Sequence, residues 1–160
     1  MNNKENDLNI SLRKATKNDA MPIFLIEQEN IGQESVELIK SALENPNYLF
    51  LVAEMPEESK NRVVGFIEIL LLADDCEIIS IAVDKSYLRQ KIGSNLLIAA
   101  VNHAKSLGKK NMFLEVRCSN DAAIKFYSKF NFLTIGTRKA YYKTKGALAE
   151  DALVMQKILY

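Results

Sequence analysis

Apolar positions recur every second residue in some stretches and at helical spacing in others, and each change of period marks an element boundary. "LNISLRKA" (8–15) alternates and predicts a first strand. "TKNDAMPIFLIEQEN" (16–30) predicts a helix with Asn18 or Asp19 as its N-cap. "QESVELIKSALEN" (33–45) predicts a second, amphipathic helix with Val36, Leu38, Ile39, Ala42 and Leu43 near one face. "NYLFLVAEM" and "RVVGFIEILLL" read as strands separated by the polar turn "PEESKN", and "CEIISIAV" as a fourth strand. "GSNLLIAAVNHAKSLG" is a long helix ended by Gly108. After it come a strand "NMFLEVR", a short helix "SNDAAIKFYSKF", and two closing strands, "FLTIGTRKAYY" and "DALVMQKIL". The order β-α-α-β-β-β-α-β-α-β-β predicts an α/β protein with a mixed sheet flanked by helices, because antiparallel-type strands precede βαβ crossovers.

Composition narrows the function classes. The 160 residues fit one domain, with residues 1–7 expected as a flexible tail. The 21 basic and 20 acidic residues leave a net charge of +1, so no DNA-binding or membrane surface is expected. No apolar run approaches the roughly 20 residues that span a bilayer, and the polar start "MNNKENDLN" has no signal-peptide core. A cytoplasmic protein is the resulting expectation. The two cysteines, Cys76 and Cys118, form no CxxC pair, and the single histidine, His103, lies near a helix C-terminus, where it complements the dipole. No metal is expected.

The stretch "LRQKIGSNLL" (88–97) lies between the strand "IISIAV" and the long helix. The first amides of a helix have no internal partners, and with the dipole they form an anion site. Arg89 and Lys91 add positive charge, and Gly93 can supply a close approach or a positive φ. The competing reading is a plain helix start with two solvated basic residues.

A second segment shifts the balance between them. The combination "IAVD…RQKIG…LEVRCSNDAAIKFYSKFNF", from 81 to 132, resembles the GNAT superfamily of acetyl-CoA-dependent N-acetyltransferases, whose loop pattern is Gln/Arg-x-x-Gly-x-Gly/Ala. The tail "RKAYYKTKGALAEDALVM" resembles the RimI-type ribosomal-protein-alanine N-acetyltransferases, with a Tyr-Tyr pair and then Asp-Ala before an apolar strand. The resemblance implies the GNAT fold, acetyl-CoA as co-substrate and a primary amine as acceptor, most simply a protein N-terminus. It implies that the backbone of Ile81, Ala82 and Val83 bonds the pantetheine arm. The loop residues Arg89, Gln90, Lys91, Ile92, Gly93 and Ser94 would bind the pyrophosphate, and Asn120 would contact the cofactor. Glu115 falls at the position of the general base and Tyr127 at that of the general acid. Two departures stand out: Lys91 occupies the pattern's first glycine, and "NIGQESVEL" replaces a Phe-Pro-Trp-like stretch after the first helix. They keep open a small-amine acceptor (a polyamine, amino sugar or antibiotic) and a non-catalytic acyl-CoA-binding module.

Each of these residues also has a structural reading. Asn120 or Ser119 can be a helix cap. Glu115 can be a solvent-face residue paired with Arg117. Tyr127 can be a core tyrosine with a satisfied hydroxyl. Cys118 reads as a small buried hydrophobe, since no histidine is near to activate it.

Overall fold

The computed structural model describes residues 9–30, 32, 35–58, 61–143 and 148–160. The expected tail at 1–7 lies outside them, as does much of "NIGQESVEL". Seven strands follow the order β1-β2-β3-β4-β5-β7-β6. They are β1 (Ser11–Lys14), β2 (Tyr48–Met55), β3 (Arg62–Leu71), β4 (Asp75–Val83), β5 (Asn111–Arg117), β6 (Leu133–Tyr142) and β7 (Glu150–Ile158). The helices are α1 (Ala20–Asn30), α2 (Val36–Glu44), α3 (Ile92–Ser106) and α4 (Asp121–Lys129). The chain divides into two compact units. One holds the residues up to Ile69 together with Ser80–Ala100, and the other holds Leu70–Ile79 and Val101–Tyr160.

In the first unit β1 pairs antiparallel with β2, and Ile23, Ile26, Ile39, Phe50, Val52, Phe66 and Ala82 are buried together. Each of the isoleucine, valine and phenylalanine side chains contributes about 1.5–3 kcal/mol by leaving water. Two expectations for the helices are corrected. The first helix is not capped by Asn18 or Asp19: a 3-10 turn, Lys17–Asp19, precedes it with Thr16 as the cap. The Asp19 carboxylate accepts from the Thr16 amide at 2.7 Å and from its hydroxyl at 3.1 Å, so it is pinned there and faces Arg13. In α2, capped by the Ser35 hydroxyl, Ile39 is buried while Leu38 is 60% exposed, so the apolar face is narrower than its spacing predicts. Gly65 on β3 matters through what it lacks. A Cβ there would meet Ile92 Cγ2 at 3.1 Å and Leu96 Cδ1 at 3.2 Å, so the glycine seats the first turns of α3.

In the second unit β4 pairs parallel with β5, in the register Cys76↔Met112 and Ile78↔Leu114. This is the expected crossover through α3. The crossover through α4 does not make β5 and β6 neighbours. β7 lies between them, antiparallel to both, which a reading of consecutive elements does not reveal. Along β5, Met112, Leu114 and Val116 are buried while Phe113, Glu115 and Arg117 occupy the other face. α3 ends as expected: Gly108 has φ +70°, and the amides of Gly108 and Lys109 bond the carbonyls of Lys105 and Ala104, a Schellman motif.

Candidate functional site

The loop after β4 belongs to the first unit. Ile81, Ala82 and Val83 form the last turn of the strand's pleat, and Asp84 then closes a 3-10 turn over Lys85–Tyr87 by accepting from the Ser86 amide at 2.9 Å. The Asp84 carboxylate is also gripped by Arg62 at 2.7 Å, which anchors the end of β4 to the start of β3. From there the chain passes through Leu88 to α3. The Asn95 amide bonds the Lys91 carbonyl at 2.9 Å, so the amides of Ile92, Gly93 and Ser94 have no partner inside the helix. No acidic residue stands in that first turn, and Arg89 and Lys91 flank it. The buried Oε1 of Gln90 has no partner among the described residues. A loop with free amides and two adjacent cations suits a pyrophosphate.

Of the two roles open to Gly93, a positive φ and a close approach to a ligand, the first is not found. Gly93 is an ordinary residue of α3, whereas Arg89 (φ 61°) and Lys91 (φ 60°) carry the left-handed conformation. Lys91 therefore adopts the backbone shape for which the family pattern places its first glycine. A non-glycine residue there costs roughly 1–2 kcal/mol. A glycine relieves that but adds freedom to the unfolded chain worth about 0.4–1 kcal/mol. Lys91→Gly is expected to raise unfolding stability slightly, by about 0.5 kcal/mol from the difference of these two effects. Urea unfolding at neutral pH measures it, and a loss of 1 kcal/mol or more would show that the Lys91 side chain holds the loop.

The expected catalytic residues lie in the second unit. Glu115 projects from the face of β5 opposite Met112, Leu114 and Val116, with its side chain 10% exposed. It does not pair with Arg117, which bonds Glu150 at 3.0 Å and lies 4.2 Å below the ring of Tyr142. Its partner is Arg138, whose Nε is 2.7 Å from Glu115 Oε1. The Tyr141 hydroxyl also hydrogen-bonds Glu115, and this bond, with burial and the carboxylate's charge, raises the tyrosine's pKa. Glu77 has its pKa raised, first by burial and then by the charge of Glu115. Arg138, Tyr141 and Glu77 were not among the residues expected. The "RKAYY" stretch was visible, but not that it folds back onto Glu115.

Asn120 and Tyr127 sit on α4. Asn120 is the N-cap, accepting from the Ala123 amide at 3.1 Å through Oδ1, which leaves its Nδ2 as the donor a ligand could use. Tyr127 is 7% exposed, edge-on to Phe132 with centroids 5.6 Å apart, and burial pushes its hydroxyl well above the usual tyrosine range. Tyr142 has its pKa raised, first by burial and then by the charge of Glu115. Cys118 is half-buried, and it is Cys76 that is fully buried, its thiol pushed up to about 11 by desolvation.

A cavity of about 740 Å³ in the first unit is lined by Arg13, Asp19, Glu54, Arg62 and Asp84. It contains none of the expected residues. Its buried charges are already matched, Arg13 to Asp19 and Glu54, and Arg62 to Asp84, so the cavity reads as a by-product of structural ion pairs.

A model of the Acetyltransferase (GNAT) family matches residues 14–132. The chain belongs to the GNAT acetyltransferase family. The GNAT relatives include an Escherichia coli protein named ribosomal protein bS18-alanine N-acetyltransferase, 31% identical over 72% of this chain and 76% of its own. A Bacillus subtilis relative, provisionally given the same name, is 37% identical over 71% and 70%. The crystal structure of the E. coli ribosomal-protein-S18-alanine N-acetyltransferase superposes with a TM-score of 0.83 over 94% of each chain, at 26% identity. The GNAT fold that the resemblance implies is thus found. No helix among the described residues is long and apolar enough to cross a membrane.

Proposed function

We propose that this GNAT protein works as one domain that transfers the acetyl group of acetyl-CoA to the N-terminal α-amine of a protein, of the ribosomal-protein-alanine type. The observation that carries this reading is that relatives named for that acceptor match over more than two thirds of both chains. The carboxylate of Glu115, on the face of β5 opposite Met112, Leu114 and Val116, supports it. The loop Arg89–Ser94 takes the pyrophosphate and the backbone of Ile81–Val83 the pantetheine. Glu115 accepts a proton from the amine as nitrogen attacks the thioester carbon, and the C–S bond breaks.

Tyr127 acts at the leaving sulfur. Burial raises the Tyr127 hydroxyl above the ordinary tyrosine range, so it stays protonated at neutral pH and can donate to the leaving thiolate. Tyr127 stabilises the thiolate by donating a hydrogen bond, and the thiolate takes its proton from water after release. An α-amine at about 7.7–8.0 is roughly a tenth neutral at pH 7, whereas a lysine at about 10.4 has some hundredfold less. Free N-termini are therefore the favoured acceptors.

The test is CoA release with peptides bearing an N-terminal alanine, free or blocked, and with a panel of polyamines and amino sugars. Turnover is expected only with the free N-terminus. Equal rates on free and blocked peptides, or faster rates on a small amine, would overturn the reading.

A further inference from the structure

The partner of Glu115 comes from two strands away. Across β7, Glu115 is opposite Val154, which is opposite Gly136, while Arg138 is opposite Ala152. Gly136 presents no side chain next to the carboxylate's row, and Ala152 and Val154 are short, so the Arg138 side chain can lie across β7 and reach Glu115. Tyr141 is three residues further along, which in a regular strand would place it on the opposite face. A register shift between Arg138 and Tyr142 turns it back. The shift is built in: Ala140 has φ 51°, its amide bonds Asp151 Oδ1 at 2.8 Å, and Lys139 bonds Asp151 Oδ2 at 2.7 Å. The guanidinium of Arg138 then sits 5.4 Å from the Tyr141 ring, and both groups converge on Glu115. Arg138 is 59% exposed at its side chain and Glu115 only 10%, so the cation is the member free to leave.

We propose that Arg138 is an internal stand-in for the acceptor's ammonium group: it occupies Glu115 until a cationic amine displaces it, and so keeps the base away from water. This rests on the reading of Glu115 as the base for an N-terminal amine. At neutral pH the incoming α-amine is mostly protonated, so it brings to Glu115 the same charge that Arg138 withdraws. Water and alcohols carry no charge to exchange, and they meet a carboxylate already engaged. Discrimination comes from a competitor built into the protein rather than from a contact to the right substrate. The suppressed side reaction is hydrolysis. There, a water oxygen would bond to the thioester carbon as Glu115 takes its proton. The C–S bond would break, and the thiolate would then be protonated by solvent, giving acetate and CoA. Arg138 is on this account a positioning residue, touching neither donor nor acceptor in the reacting complex.

The experiment compares wild type, Arg138→Gln, Arg138→Lys and Glu115→Gln by CoA release, with and without a peptide bearing a free N-terminal alanine. Thermal melts check that each variant is folded. Arg138→Gln is expected to lower the peptide KM and raise acceptor-free hydrolysis, each by about two- to fivefold, the worth of a part-exposed ion pair. Arg138→Lys keeps the charge and should hold hydrolysis near the wild-type rate, and adding Glu115→Gln to Arg138→Gln should abolish the increase. A raised peptide KM, or unchanged hydrolysis, in folded Arg138→Gln would overturn the stand-in role and make Arg138 an acceptor contact or a purely structural ion pair. If Arg138→Gln does not fold, the Arg138→Lys variant decides through hydrolysis, where a rise above fivefold counts against the proposal. Failure of the underlying reading has a different signature: wild type inert on the free peptide, or Glu115→Gln as active as wild type. Either result removes the stand-in role together with its base.

Discussion

Glu115→Gln should lower turnover of a free-N-terminus peptide by about 10²–10⁴-fold at pH 7, the range for a positioned proton acceptor. Glutamine keeps the size and the hydrogen bond that Tyr141 donates, and removes only the capacity to take a proton. Release of the half-exposed Arg138 contributes little to the loss. The pH dependence separates this from a packing defect. In the variant the amine must lose its proton to solvent before it attacks, so the rate follows the neutral fraction of an amine with pKa about 7.7–8.0. The deficit against wild type should narrow by roughly twentyfold between pH 6.5 and pH 9, as that fraction rises. A deficit constant across this range would mean that Glu115 shapes the site without accepting the proton.

The second large effect concerns stability and lies away from the chemistry. Arg13 bonds Asp19 at 2.8 Å and Glu54 at 2.6 Å, and these carboxylates are only 8% and 12% exposed. Arg13→Met leaves two mostly buried carboxylates facing each other without a cation. Breaking a buried pair costs about 3–5 kcal/mol, and because Arg13 is itself 37% exposed the loss here should be about 2–3 kcal/mol. That corresponds to a melting-point drop of about 5–10 °C for a chain this size. The hydrogen bonds from Arg13 are the largest cause that holds both carboxylates below their ordinary range. Groups with depressed folded values stabilise the protein above their unfolded values, near 3.8 and 4.5, and that stability is lost as pH falls through the folded ones. Wild type should therefore lose stability more steeply than Arg13→Met below about pH 4.5. Urea unfolding at pH 7 and pH 3 reads both effects, and parallel losses in the two proteins would remove Arg13 from the acid response.

The elements were legible where a single periodicity ran unbroken. β5 is found at the residues its alternation predicts, and α3 ends at Gly108 for a reason visible in the letter itself. Glu115 was identifiable because one acidic residue interrupted an apolar strand in a family-like context. What escaped reading depends on residues distant in sequence or on backbone shapes without a composition. Arg13 and Glu54 are separated by 41 positions, and no local pattern announces their contact. The left-handed turns at Arg89 and Lys91 use residues that give no sign of it, while Gly93, which looked like the special position, is plainly helical. Arg138 and Tyr141 reach one face only because of the shift held by Asp151, and alternation alone assigns them to opposite faces.

The placement of β7 between β5 and β6 also sets an order of assembly. Both neighbours precede it in the chain, so each is synthesised with one edge waiting for residues 150–158. Until that segment leaves the ribosome, Glu115 and Arg138 belong to strands with no mutual register, and the ion pair that masks the base cannot form. An emerging chain thus carries two unsatisfied strand edges, the kind of surface that chaperones cover and that aggregates when they do not. Any appended segment or early stop that delays or removes β7 should reveal itself first as insolubility of the nascent protein, before any change in the rate of a folded one.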